Sequence, residues 1–404
     1  MDYKEIEGGV TAAKGFLAAG VHCGIKKKKK DLSLVYSENV CTAAAVFTSN
    51  VVKGAPIIVS KEHLKNNIAQ AIIVNSGIAN TCESDGVEKA SMMTGFVADA
   101  LKINEDDVLV ASTGVIGQPL NLEPIKEHMN ELAASLSKEG HTDAVSGIMT
   151  TDTVPKEMAV EVDICGTKVT IGGMCKGSGM IEPNMCTMLS FITTDVAISK
   201  DLLKEAVKSS ADASYNRISI DGDTSTNDSY FILANGKAGN KTITEKDDSY
   251  YTFLDVLNYV NVTLAKKMAK DGEGATKLLQ CDVTGADSEE NALILAKSVI
   301  KSSLVKTAMF GCDANWGRIM CALGYAGVNF DPDIVDISFI GKCGEIVVCE
   351  KGKSIAFDEK KAYEILDEDE VIINVNMNNG ENSAAAWGCD LSYDYVKING
   401  EYRS

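Results

Sequence analysis

Proline and histidine are scarce in this chain: six and four among 404. So few prolines, with no Pro/Ser-rich spacer and no repeat of fixed period, exclude a long linker or a solenoid. Twelve cysteines are scattered without a CxxC pair. Zinc sites and disulfide frameworks need tighter clustering, so most of these thiols are expected to be small buried hydrophobes in a reducing cytoplasm, with no metal bound. No apolar run reaches the length of a membrane span. The first nine residues carry acids early and have no apolar core, so no secretory signal is expected. Positive charge is also short: 39 basic against 57 acidic residues give a net charge of −18. Such a protein repels nucleic acid and anionic membranes, so neither is an expected partner. The run Lys26 to Lys30 is the exception, and in so acidic a chain it reads as a solvated loop rather than a phosphate or nucleic-acid patch.

What is present is ordinary globular material. Hydrophobic residues make up 45% and charged residues 24%, enough for a large core and two or three domains. Strand-like runs alternate with helix-like runs, which predicts a layered α/β fold. Ala55 to Ser60, Gln70 to Asn75 and Val108 to Ser112 read as strands, as do Met188 to Ala197 and Ser229 to Asn235. Met158 to Val162 and Lys168 to Gly172 look like a hairpin. Val87, Ala90, Met93, Val97 and Leu101 recur at helical spacing, and Asn121 to Ser137 is a further helix. The stripe Tyr250, Phe253, Leu254, Leu257, Val260, Leu264 and Met268 predicts a helix stopping at Asp271-Gly272. Ser288 to Leu304 predicts another, capped by Ser288. Ile334 to Ile340, Glu345 to Glu350 and Val371 to Val375 supply late strands.

The most informative segment is Gly172 to Ser190, GGMCKGSGMIEPNMCTMLS. Its glycines and Lys176 invite a phosphate-loop reading, but the lysine is followed by glycine instead of Ser or Thr, so that pattern fails. From residues alone it is a flexible loop entering a strand. Ser112-Thr113-Gly114 is, on the same terms, a strand-ending turn. Lys176 and Glu273 are surface charges. Asp221 to Asp228 lacks the glycine and glutamate of a calcium loop, since Thr226 and Ile232 stand there, and reads as a self-bonded turn. Asp313 to Arg318 is either a ligand loop or a helix start.

KGSGMIEPNMCTML (residues 176–189) resembles the self-cleavage motif of the bifunctional glutamate N-acetyltransferase/ornithine acetyltransferase family of arginine biosynthesis. The resemblance covers nearly the whole chain. It runs in order through Ser112 to Gly117, Met149 to Thr153, Asp221 to Asp228, Lys270 to Lys277, Asp313 to Arg318 and Asn399 to Ser404. It implies the ornithine acetyltransferase/DmpA-like arrangement, a layered α/β fold resembling N-terminal-nucleophile hydrolases. It also implies self-cleavage between Cys186 and Thr187, giving an α chain of 1–186 and a β chain of 187–404, interleaved in an αβ heterotetramer. Thr187 would then be the catalytic nucleophile and Thr113-Gly114 the oxyanion hole. Thr153, Lys176, Thr187, Glu273, Asn399 and Ser404 would bind the substrate. Cys186 departs from the alanine common in the family; a small residue should leave cleavage intact.

The chemistry is coherent on its own terms. A threonine hydroxyl needs an adjacent base, and cleavage before Thr187 frees an α-amine with a reference pKa of about 7.7–8.0 beside that hydroxyl. One residue then supplies nucleophile and base. The implied reaction is ping-pong transfer of acetyl from N-acetylornithine to glutamate, with no organic cofactor and with acetyl-CoA open as a second donor. The rivals are a self-processing aminopeptidase of related architecture and a binding protein that has kept the fold.

Overall fold

The computed structural model describes residues 3–182 and 188–401. The chain divides into two compact units, the first drawing on residues 3–177, 188–216 and 224–265, the second on 178–182, 217–223 and 266–401.

The sheet of the first unit holds β1 (Tyr3–Ile6), β2 (Phe16–Val21), β3 (Leu32–Phe47), β4 (Ile68–Ile78), β5 (Val108–Val115), β6 (Lys156–Ile164), β7 (Thr167–Lys176), β8 (Leu189–Thr194) and β10 (Ser229–Ala234). Its order is β1-β6-β7-β8-β10-β3-β4-β5, with β2 paired to β3. The second sheet holds β9 (Ile218–Ser219), β11 (Leu278–Ala286), β12 (Asp336–Gly341), β13 (Gly344–Glu350), β14 (Lys353–Ser354), β15 (Glu370–Asn376) and β16 (Asn382–Cys389), in the order β14-β13-β12-β15-β11-β16-β9. The helices are α1 (Ala55–His63), α2 (Gly86–Leu101), α3 (Glu123–Ala134), α4 (His141–Ile148), α5 (Lys200–Ala213), α6 (Asp248–Lys270), α7 (Glu289–Lys301), α8 (Ser303–Phe310), α9 (Trp316–Gly324), α10 (Glu359–Leu366) and α11 (Tyr393–Gly400).

In the first unit β4 and β5 are buried on both faces. Ala71, Ile73, Val108 and Val110 pack with Ala90, Met93 and Val97 of α2 and Ile125, Met129 and Leu132 of α3. Ile72, Val74, Leu109 and Ala111 pack with Ala144, Val145 and Ile148 of α4. Two buried faces explain why these strands read as continuous apolar runs. In the second unit Leu279, Cys281 and Val283 of β11 and Val371, Ile373 and Val375 of β15 alternate onto one face, under α7, α8, α9 and α10. Both units are therefore sheet-and-helix layers, as expected.

Most expected elements are present, and three expectations need correction. Ala55 to Ser60 is helix α1, not a strand. Pro56 lies at its first turn, where a fixed φ and a missing N–H favour a helix, and a six-residue apolar run has no period to decide the matter. The helix from Ser288 breaks at Ser302, whose extended backbone ends α7 and whose side chain caps α8 by accepting from Val305 N; Ser288 caps α7 as expected. The lysine run is not uniformly solvated. Lys27, Lys28 and Lys29 are exposed, but Lys26 is half-buried and donates from Nζ to the Met149 and Lys30 carbonyls at 2.5 and 2.9 Å. Among the described residues no helix is long and apolar enough to cross a membrane.

Candidate active site

In the first unit, β5 ends in Ser112-Thr113-Gly114, paired in parallel with Asn75-Ser76-Gly77 of β4. A buried polar network fixes this end. Ser112 Oγ donates to Asn75 Oδ1 at 2.6 Å, and Asn75 Nδ2 to the Ile78 carbonyl at 2.9 Å. Asn227 Nδ2 donates to the carbonyls of Ala79 and Ser112, at 2.6 and 3.0 Å. Its Oδ1 accepts the hydroxyls of Thr81 and Thr226, each at 2.6 Å. A buried amide so fully satisfied rigidifies whatever it holds, and here it holds the turn that carries Thr113 and Gly114. Gly114 has φ +129°, and a Cβ there would lie 2.7 Å from Gly77 Cα, so only glycine fits.

Lys176, at the end of β7 and 8% exposed, donates to Thr113 Oγ1 at 3.5 Å. Behind it stands Asp152, whose side chain is fully buried, 3.9 Å from Lys176 Nζ and 2.6 Å from that of Lys156. Asp152 also accepts the N–H groups of Gly177 and Thr150, at 2.8 and 3.0 Å. Burial alone would push its carboxyl up, but Lys176 and Lys156 outweigh burial and hold it well below the usual carboxylate range. Lys26 belongs to the same neighbourhood. Burial pulls its ammonium down to about 8, against the attraction of Asp31 and with repulsion from Lys176.

Asp228 precedes β10, whose register places Ser229 opposite Leu189. Its carboxyl is buried, one oxygen (Oδ2) has no hydrogen-bond partner, and burial pushes it well above the usual range against Ser225, Lys176 and Thr48. It immediately precedes Ser229, the strand partner of Leu189 in the segment that follows Thr187.

In the second unit, Glu273 follows α6 and is buried, its N–H bonded to the Ser178 carbonyl at 2.7 Å. Asn399 of α11 donates from Nδ2 to Glu273 Oε2 at 2.8 Å. Gly179 makes room for the carboxylate: a Cβ there would sit 2.5 Å from Glu273 Cδ. Asp221 accepts the N–H groups of Met180 and Ile181, at 2.7 and 2.8 Å.

The structure thus brings Thr113, Gly114 and Lys176 together in one unit, and Glu273 and Asn399 together in the other. Thr153 is exposed, next in the chain to Asp152. Thr187, Cys186 and Ser404 lie outside the described residues. One segment departs from the reading of residues alone, and for another the structure decides between two readings. Asp221 to Asp228 is not chiefly self-bonded, because Asp221 and Asn227 spend their side chains on distant backbone. Asp313 to Arg318 is a helix start, with Asn315 accepting from Arg318 N. Sequence reasoning gave no role to Lys26, Asp152, Lys156, Asn227 or Asp228. The Asp152/Lys156 spacing of four was a signal for an ion pair, but it lies on no helix and so carried no weight.

A rigid strand-end turn with a hydroxyl and a glycine, backed by a buried ammonium, is chemically able to hold an oxyanion of the kind that forms in acyl transfer. The family comparison makes this specific: the profile of the ArgJ family matches residues 17–404, and the chain belongs to that family. It is 52% identical over 400 residues, 99% of both chains, to the arginine biosynthesis bifunctional protein ArgJ of Caldanaerobacter subterraneus subsp. tengcongensis. It is likewise 52% identical over 397 residues to ArgJ 1 of Clostridium acetobutylicum, covering 98% of this chain and 97% of that one. Among solved structures, the ArgJ crystal structure from Bacillus halodurans is 44% identical with a TM-score of 0.51, over 53% of this chain and 99% of that one.

Proposed function

We propose that this protein is an arginine-biosynthesis acetyltransferase that carries acetyl from N-acetylornithine to glutamate through an acyl-Thr187 intermediate. The observation that carries the reading is the clamped turn Thr113-Gly114 with Lys176 Nζ 3.5 Å from the Thr113 hydroxyl. Thr187 first attacks the Cys186 carbonyl. The acyl group moves from nitrogen to oxygen, and water releases the ester, leaving a free α-amine on Thr187. In turnover that amine takes the hydroxyl proton while the oxygen attacks the acetyl carbonyl. The turn holds the oxyanion, and the departing amine of ornithine receives the proton. Glutamate reverses these steps and leaves as N-acetylglutamate. Lys176 suits a substrate carboxylate, and Glu273, steadied by Asn399, suits an amine. Thr153 and Ser404 complete the set of substrate contacts. The steps need no metal or organic cofactor, and acetyl-CoA stays open as a second acetyl donor.

Cleavage leaves an α chain of 186 residues and a β chain of 404 less 186, or 218. The solved Bacillus halodurans chain matches over nearly all its own length yet spans 53% of this one, the size of the longer product. The two pieces stay joined in one sheet, because β8 and β10 follow the cut and lie between β7 and β3, which precede it. The assembled form is an αβ heterotetramer of the cytoplasm.

The test is transfer itself. Purified, cleaved protein should form N-acetylglutamate from N-acetylornithine and glutamate with no coenzyme A present. Hydrolysis of peptides in place of transfer would revive the aminopeptidase reading. An uncut chain that forms no acyl-enzyme would revive the binding protein.

A further inference from the structure

The five-lysine run is built more firmly than a solvated loop requires. Asp31, fully buried, accepts the backbone N–H groups of Cys23, Gly24 and Lys26, at 2.6, 3.2 and 2.8 Å. Lys26 is tied inward to Met149 and to the Lys30 carbonyl. Lys30 is paired with Asp143, and His22 Nδ1 lies 2.9 Å from the Lys29 carbonyl. Both ends of the run are therefore pinned, while Lys27, Lys28 and Lys29 between them are exposed. Among the described residues none of these three makes an ion pair, although acids outnumber bases by 57 to 39. Three adjacent like charges held in a fixed loop repel one another, and an anion would relieve them.

The root of the loop stands beside the oxyanion turn. A Cβ on Gly77 would lie 2.9 Å from Ile25 Cγ2 and 3.3 Å from Lys26 Cγ, and Gly77 is the strand partner of Gly114. The loop that carries the unpaired lysines is therefore rooted beside the acyl-transfer turn. N-acetylornithine carries no phosphate and has no use for such a loop. A nucleotide thioester does: its diphosphate and 3′-phosphate sit many bonds from the acyl carbon, and the field of a protein of charge −18 opposes their approach.

We infer that Lys27, Lys28 and Lys29 form a phosphate-binding rim that receives the nucleotide end of an acyl-coenzyme A donor, and that amino-acid donors bypass it. This rests on the acyl-transfer reading above and adds to it where the phosphates sit. Lysine serves phosphate as a point charge with three donors, so the rim needs no fork geometry.

The test is the triple variant K27Q/K28Q/K29Q, whose positions are exposed and whose anchors, Asp31 and Lys26, are untouched. Coenzyme A is titrated calorimetrically into wild type and variant at two salt concentrations. Initial rates are measured with acetyl-CoA and, separately, with N-acetylornithine. The expected result is salt-sensitive coenzyme A binding by wild type. In the variant, affinity for coenzyme A falls and the KM for acetyl-CoA rises, each about tenfold. The KM for N-acetylornithine stays unchanged. The inference is overturned if wild type binds no coenzyme A, if the variant binds it as wild type does, or if the N-acetylornithine reaction suffers equally. Failure of wild type to transfer acetyl from N-acetylornithine would sink the function reading instead. The calorimetric result would then still decide whether the rim holds the nucleotide.

Discussion

Replacing Gly114 by alanine perturbs the turn that is expected to hold the oxyanion, at one atom. At φ +129° a Cβ would sit 2.7 Å from Gly77 Cα and still nearer the Gly77 carbonyl group. The obstacle is backbone, so no rotamer change relieves it. A non-glycine residue in that region costs about 1–3 kcal/mol, and the overlap adds about 1–3 kcal/mol more. The turn must shift to survive, and Asn227 and Asn75 hold it from both sides. Loss of one oxyanion donor typically costs about 10²–10³ in kcat. The Gly114→Ala enzyme should therefore lose at least about 100-fold in kcat, with its KM for N-acetylornithine within about threefold. Gly117→Ala is the control: φ there is +71°, but nothing lies within 4 Å of the added carbon, so it should suffer backbone strain alone and keep its activity. Steady-state transfer, with intact-mass detection of the acyl-enzyme, reads both variants. A folded Gly114→Ala protein turning over within about threefold of wild type would refute the placement of the oxyanion at this turn.

Thr187→Ala should remain one uncut chain of 43.0 kDa without activity, whereas Thr187→Ser should cleave and turn over more slowly, having lost the methyl that fixes its rotamer; an uncut alanine variant that still transfers acetyl would refute the mechanism. Glu273→Gln should cleave normally but raise the KM for N-acetylornithine roughly ten- to hundredfold, the loss of a charge-assisted bond to an amine; normal kinetics would make Glu273 a structural acid. Asp228 has a raised pKa in the folded protein, so its contribution to stability is complete below 3.8, its value when unfolded, and is lost as pH rises through the folded value. Asp228→Asn cannot titrate, so the melting temperature of wild type relative to this variant should fall as pH rises; a pH-independent difference would show that Asp228 is ionised.

Long periodic segments were legible in the sequence. The stripe from Tyr250 to Met268 became α6, because seven apolar residues at helical spacing admit one reading. Short apolar runs were not: Ala55 to Ser60 has strand composition but helix geometry, decided by Pro56 and by packing of Ala55 and Val59 against the α2 layer. The sixteen-residue β3 went unread, since its register shifts between Tyr36 and Cys41 and its Ala43-Ala44-Ala45 stretch carries no strand signal. For the site, resemblance supplied Thr113, Gly114 and Lys176, and the structure supplied what holds them. Five identical lysines in a row give no hint that Lys26 alone turns inward; that depends on Asp31 gripping three backbone N–H groups. Asn227 was equally illegible, because its partner Ser112 lies 115 positions away.

β8 and β10 lie between strands that precede residue 187, so the proposed cut before Thr187 would change the thermodynamics of unfolding. Before the peptide bond is cut, folding is unimolecular. Afterwards the same sheet is assembled from two polypeptides, and the denatured state gains the translational freedom of separate molecules. Melting of the mature protein should then depend on protein concentration, while that of an uncut variant should not. Refolding of the cut protein would then be a second-order encounter, slow when dilute, whereas the uncut chain would fold at the low concentration of a newly made polypeptide.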